Sequence, residues 1–331
     1  MGINVLIFAN EIRPKENWQG LLKISAAAEI VDKVILVGAV DDDFHKDKKF
    51  THKRETNIQE ILNSRLVFGL PTKYIYLKFL NILSRKCIFL GVVPGKITKA
   101  IGSFQGTKNR LPKKILTYAK SLISHNYTIA QDFDDAMYLA ASFGQDVNSY
   151  LPIGLPKNIQ IISEFLKDAG ERKRGILFVP THRWDGNPSI IAEWLGDEGF
   201  VKLLKKFDIY YNNHPNEEDK AVIHKSVIRT ENLSDSAWSN VDILVTDYSS
   251  IANDYLAAGG KNVIHIIPDL KEFEDHEGRS PLSIDKQFPG IKIYTKNEFL
   301  DLLENLTDFK RDLVDINEYS NSWIQMILSN K

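Results

Sequence analysis

Residues 243–260 read ILVTDYSSIANDYLAAGG. The run Ile243-Leu244-Val245 is apolar at consecutive positions, so it reads as a strand buried on both faces. It stops at Thr246-Asp247-Tyr248-Ser249-Ser250, and a helical pattern over Ser249–Ala258 begins at once. A doubly buried strand feeding directly into a helix belongs to a parallel sheet covered by helices. Such sheets bind ligands beyond the carboxyl ends of their strands. At this end, free backbone N–H groups and the positive end of the helix dipole lie beside several hydroxyls. That combination makes an anion site suited to a diphosphate. Simple N-capping by Ser249, worth about 1 kcal/mol, accounts for one hydroxyl but not for the others or for Asp247.

Working outward, the same alternation runs along the chain. Strands are expected at Asn4–Ala9, Lys33–Val37, Lys86–Leu90, Tyr127–Ala130, Ser149–Ile153, Gly175–Val179, Asp208–Asn212, Ser226–Arg229, Asp242–Thr246, Asn262–Ile267 and Ile291–Tyr294. Helical patterns include Ile161–Ala169, Ile190–Lys206 and Lys296–Leu306. The charged, glycine-bearing stretch KDAGERKRG at 167–175 reads as a domain edge. The expected architecture is therefore α/β, with two Rossmann-like domains whose parallel sheets face across a cleft. Their bounds are 1–165 and 170–312, with a last helix within 313–331 packing back on the first domain.

The bulk composition agrees with two domains, since 331 residues exceed what one core usually reaches. The 42 Lys and Arg nearly balance 43 Asp and Glu, which argues against a nucleic-acid partner. A single cysteine, Cys87, precludes an internal disulfide and suits a reducing compartment. No apolar run is long enough to span a membrane, and the amino terminus lacks a secretory leader pattern, so a cytoplasmic protein is expected. Residues 73–87 and 108–120 mix Lys and Arg with Tyr, Leu and Ile. They read either as amphipathic helices packed on the core or as a peripheral contact with the inner face of the membrane.

Three more strand ends carry polar residues. PTHRWDG at 180–186 offers Thr181 and Arg183, the latter able to clamp an anion through two N–H groups. NHPNEED at 213–219 presents His214, a proton carrier or phosphate ligand, with its backbone restricted by Pro215. The loop PDLKEFEDHEGRSPLSID at 268–285 carries Arg279. No Gly-rich phosphate loop and no metal-ligand spacing occurs, so no metal or other cofactor is expected; a divalent cation on a bound diphosphate is still compatible with the sequence.

Together these boxes resemble the CDP-glycerol glycerophosphotransferases, which build teichoic acids and related polyol-phosphate capsules. The likeness rests on DILVTDYSSIANDYL (242–256), PDLKEFE with GRSPLSIDKQFPG (268–290), ILFVPTHRWDG (176–186), YNNHPN (211–216), AQDFDDAMYLAASFG (130–144) and LPIGLPKN (151–158). It extends from about residue 98 to 308. The resemblance implies a GT-B type fold, with the first domain on the acceptor side and the second binding a CDP-activated polyol donor. It implies that Thr246, Ser249 and Ser250 hold the diphosphate, with help from His214, Thr181 and Arg183. Asp247 would orient the loop, and Asp254 or Arg279 would meet the polyol or ribose. His214, Gln105 and Asp247 are the candidates for the chemistry itself. The acceptor implied is a hydroxyl of a glycan or lipid-linked polymer, and CMP would be released.

Two departures stand out. The family carries Trp-His-Gly-Thr where this chain has Phe104-Gln105-Gly106-Thr107, and glutamine cannot take a proton near neutral pH. Lys157-Asn158-Ile159 replaces the family's Arg-x-Asp. These departures keep a second reading open, a GT-B glycosyltransferase using a nucleotide sugar. A third is a non-catalytic partner in polymer assembly.

Overall fold

The computed structural model describes residues 2–12, 15–38, 49–71, 87–93, 96, 126–167, 174–181, 189–212, 222–230, 238–280, 282–309 and 312–330. In chain order the described elements begin with β1 (Ile3–Phe8), α1 (Lys15–Ala27), β2 (Val31–Val37), β3 (Phe50–Lys53), α2 (Ile58–Asn63), β4 (Leu66–Phe68) and β5 (Ile88–Val92). There follow β6 (Tyr127–Ala130), α3 (Phe133–Phe143), β7 (Tyr150–Pro152), α4 (Asn158–Phe165), β8 (Arg174–Val179), α5 (Ile190–Gly196), α6 (Glu198–Leu203) and β9 (Phe207–Asn212). The remainder is β10 (Ile228–Thr230), β11 (Ile243–Thr246), α7 (Ile251–Ala257), β12 (Asn262–Ile266), α8 (Leu270–Glu277), α9 (Ile284–Gln287), β13 (Ile291–Ile293), α10 (Lys296–Asn305) and α11 (Ile316–Ser329).

The chain forms two compact units. One comprises Met1–Ile97, Ile101–Ile159 and Val314–Lys331; the other comprises Thr98–Ala100 and Gln160–Leu313. Each contains one parallel sheet, ordered β3-β2-β1-β4-β5-β6-β7 in the first and β10-β9-β8-β11-β12-β13 in the second. In both, an early strand has neighbours reached by opposite crossovers: β1 lies between β2 and β4, and β8 between β9 and β11. That reversal opens a crevice at the strands' carboxyl ends, where doubly wound sheets take ligands.

Burial explains the unbroken apolar runs. In β1, Val5 and Ile7 join one core layer while Leu6 and Phe8 join the layer on the opposite face. Helix α11 returns to this first unit, burying Trp323, Ile324 and Ile327 beside Trp18, Leu21 and Ile24 of α1. The indole N–H of Trp323 donates to the Gly154 carbonyl at 3.0 Å. In the second unit, Phe178, Val245, Ile264 and Ile266 pack under Trp194, Phe200 and Phe299.

Every strand expected from the sequence is present, its ends shifted by a residue or two. Two were not anticipated. β3 (FTHK) is half-buried and polar, and β4 is three residues long, so neither carries a periodic signal. The expected helix over Ile190–Lys206 is two helices: Asp197 adopts an extended backbone and its carboxylate accepts the Gly199 and Phe200 N–H groups, capping α6. The helix expected from Ser249 begins at Ile251.

Candidate functional site

The second unit's crossover point is where β8 and β11 end side by side, with Thr246 in register with Val179. Beyond β8 lie Pro180 and Thr181; beyond β11 lies Asp247. Asp247 is fully buried, and its Oδ1 accepts the backbone N–H of Thr181 and that of Tyr248, each at 2.7 Å. One carboxylate thus latches two sequence boxes that lie 66 residues apart. A buried anion satisfied by peptide N–H groups is a strong, directional restraint on both loops. Asp247 accordingly orients the turn.

Thr246 corrects the expectation that it faces a diphosphate. It is fully buried and its hydroxyl donates to the Val179 carbonyl at 2.5 Å, tying β11 to β8. Ser249 and Ser250 are the half-buried members of the box. Ser249 does not cap by the expected route: its Oγ accepts the Ile251 N–H at 3.3 Å, in a short side-chain turn. Ser250 occupies the cap position of α7 with helical backbone angles (φ −66°, ψ −10°) and no side-chain cap bond. Thr181 adds a buried hydroxyl without a hydrogen-bond partner among the described residues.

Asp254 is a second correction. It lies in the first turn of α7 with 1% of its surface exposed, so it cannot meet a polyol or ribose without moving. Arg279 follows α8, its side chain 84% exposed and 4.0 Å from Glu274. His214, Arg183 and Gln105 lie outside the described residues, as do 73–86 and 108–120.

The structure also joins boxes that the sequence left separate. Tyr248 is buried, donates its hydroxyl to Asp269 Oδ1 at 2.7 Å and stacks on Phe273 with ring centroids 3.9 Å apart. Phe288 packs edge-on against Tyr248 at 5.5 Å. Tyr248 comes from one box and Asp269 and Phe288 from the two ends of another (268–290), so the middle of the Thr-Asp-Tyr-Ser-Ser turn is a packing anchor.

Sequence reasoning missed His265, which pairs in register with Thr246 and is fully buried at the end of β12. Its Nδ1 lies 2.6 Å from the Asp247 carbonyl and its Nε2 lies 3.0 Å from that of Pro289. Burial lowers its pKa to about 4; the two carbonyls oppose that shift and nearby Lys292 reinforces it. The one available signal was a lone polar residue within the apolar run NVIHII.

Among the described residues, no group of three or more His, Cys, Asp or Glu side chains is placed to hold a metal ion. No helix among them is long and apolar enough to cross a membrane.

Two doubly wound parallel sheets in one chain, with polar boxes gathered at the carboxyl ends of one of them, define a GT-B type α/β protein. The model of the family CDP-glycerol:poly(glycerophosphate) glycerophosphotransferase matches residues 82–324. The chain belongs to that family and is a CDP-glycerol glycerophosphotransferase-like transferase. No curated protein matches the sequence. Among solved structures, the wall teichoic acid polymerase TagF is similar over 99% of this chain and 83% of its own, with a TM-score of 0.61 at 15% identity. A putative UDP-N-acetylglucosamine 2-epimerase from Listeria monocytogenes is similar over 99% and 96%, with a TM-score of 0.58 at 13% identity. The UDP-GlcNAc 2-epimerase from Neisseria meningitidis, bound to UDP-GlcNAc, covers 99% and 100% with a TM-score of 0.52 at 13% identity. At such identities the likeness is one of fold.

Proposed function

We propose that the protein transfers glycerol phosphate or ribitol phosphate from a CDP-activated donor to a hydroxyl of a cell-surface glycan or polyol-phosphate polymer, such as a teichoic acid, and releases CMP. The observation that carries this reading is the latch at Asp247. It brings Thr181, at the start of the Pro-Thr-x-Arg box, and the Thr-Asp-Tyr-Ser-Ser box to one crossover point. In this reading Ser249, Ser250 and the peptide N–H groups at the start of α7 meet the donor diphosphate, with Thr181, Arg183 and His214 alongside. The acceptor hydroxyl oxygen attacks the β-phosphorus and gives up its proton to His214, the bond from that phosphorus to the bridging oxygen breaks, and CMP leaves with the electron pair. Charge develops on the phosphoryl oxygens, and pre-aimed donors stabilise it. The enzyme works in the cytoplasm, and peripheral contact with the inner face of the membrane brings it to a lipid-linked acceptor.

Gln105 favours one competing reading, transfer of a sugar from a nucleotide donor, because it removes the family's histidine from the phosphoryl chemistry. Thermal unfolding with CMP, CDP-glycerol, CDP-ribitol, UDP and UDP-GlcNAc separates the two. A true donor at about 100 times its Kd stabilises by about 2.7 kcal/mol. Stabilisation by cytidine compounds alone is expected; stabilisation by uridine compounds alone overturns the proposal.

A further inference from the structure

We propose that His265 is a positioning residue for the donor site, holding the Asp247 peptide so that the Tyr248–Ser250 turn and the start of α7 keep their place. The inference rests on reading the carboxyl edge of β11 as the donor site. Its basis is a donor count. Two carbonyls, of Asp247 and Pro289, flank the ring at 2.6 and 3.0 Å. A neutral imidazole carries one N–H, so it serves one of them at a time. The shorter approach assigns that N–H to Nδ1 and its bond to Asp247.

The Pro289 side has other support. Lys292 donates to the Gly290 carbonyl at 3.0 Å and is paired with Asp285, and β13 continues directly into the sheet beside β12. Phe288 packs on the imidazole with ring centroids 5.5 Å apart and keeps it in place. Removal of the imidazole therefore falls on Asp247. The carbonyl it holds belongs to the peptide whose N–H is that of Tyr248, and that N–H is already bound by the Asp247 carboxylate. His265 and the carboxylate thus grip one peptide unit from its two polar ends, immediately before the two half-buried serines.

Two conservative variants separate the two contacts. His265→Asn places a carboxamide N–H near the position of Nδ1, within reach of Asp247. His265→Gln carries its N–H out toward the position of Nε2 and Pro289. Calorimetric titration with CDP-glycerol is expected to give His265→Asn a Kd near that of the wild type. His265→Gln is expected to bind about tenfold more weakly, the scale set by one buried carbonyl left without its donor. Equal affinities of the two variants overturn the assignment. If the wild type itself binds no CDP-glycerol, the donor reading fails, and hydrogen exchange then decides the positioning role. The amides of Tyr248 to Ile251 should exchange about tenfold faster in His265→Gln than in His265→Asn, and equal rates overturn it.

Discussion

Tyr248 shows how a residue that looks like part of a polar binding box can serve as its anchor. Its ring is buried against Phe273 and Phe288, and its hydroxyl reaches Asp269. Tyr248→Phe keeps the stack and removes the hydrogen bond, so a loss of about 1 kcal/mol is expected in urea unfolding. The serines beside it are the half-buried members, and Ser250→Ala should weaken CDP-glycerol binding about tenfold or more, the worth of one hydrogen bond to a charged group, with unfolding unchanged. His214→Ala should abolish turnover and leave the fold intact; full activity in that variant removes His214 from the chemistry. His265 also sets a pH dependence. Its folded pKa is about 4, against 6.5 for an unperturbed ring. Between these values the unfolded chain binds the extra proton, so stability falls as pH drops from 6.5 to 4 and the contribution is fully present above 6.5. The loss is on the order of 3 kcal/mol. Unfolding of the wild type and His265→Asn across that window checks it, the variant being expected to show the flatter profile.

At the scale of elements, local chemistry decides the boundaries that periodicity blurs. α10 starts at a reciprocal cap: Thr295 Oγ1 accepts the Glu298 N–H while Glu298 accepts the Thr295 N–H. Thr295→Ala should cost about 1 kcal/mol, readable as a shift in the urea midpoint. The same logic explains the split at Asp197, where a side chain that caps the next helix outcompetes a continuous apolar pattern. The turn at the end of β11 follows it too. Ser249 binds a backbone N–H locally, so the helix begins two residues later than the apolar pattern alone indicates. β3 and β4 escaped detection because one is polar and the other too short to show a period.

For the whole molecule, the last helix completes the first unit's core although it follows the second unit in sequence. Trp323 is fully buried, stacked at 6.0 Å on Phe68 and bonded to Gly154. Trp323→Ala should cost about 3–5 kcal/mol. Hydrogen exchange should show protection lost in β1, β2 and β4 while β8, β11 and β12 retain theirs. The sequence by itself determined the α/β class, the strands apolar on both faces and the boxes that follow them, because burial and turn chemistry are written in short windows of residue type. Only the tertiary structure decided what those boxes do for one another. Asp247 latches Thr181, Thr246 serves β8 rather than a ligand, Asp254 turns inward, and His265 reaches two carbonyls from separate loops. Each of these depends on which strand ends lie side by side, and strand order is set by crossovers and packing between distant segments, which no local window of sequence contains.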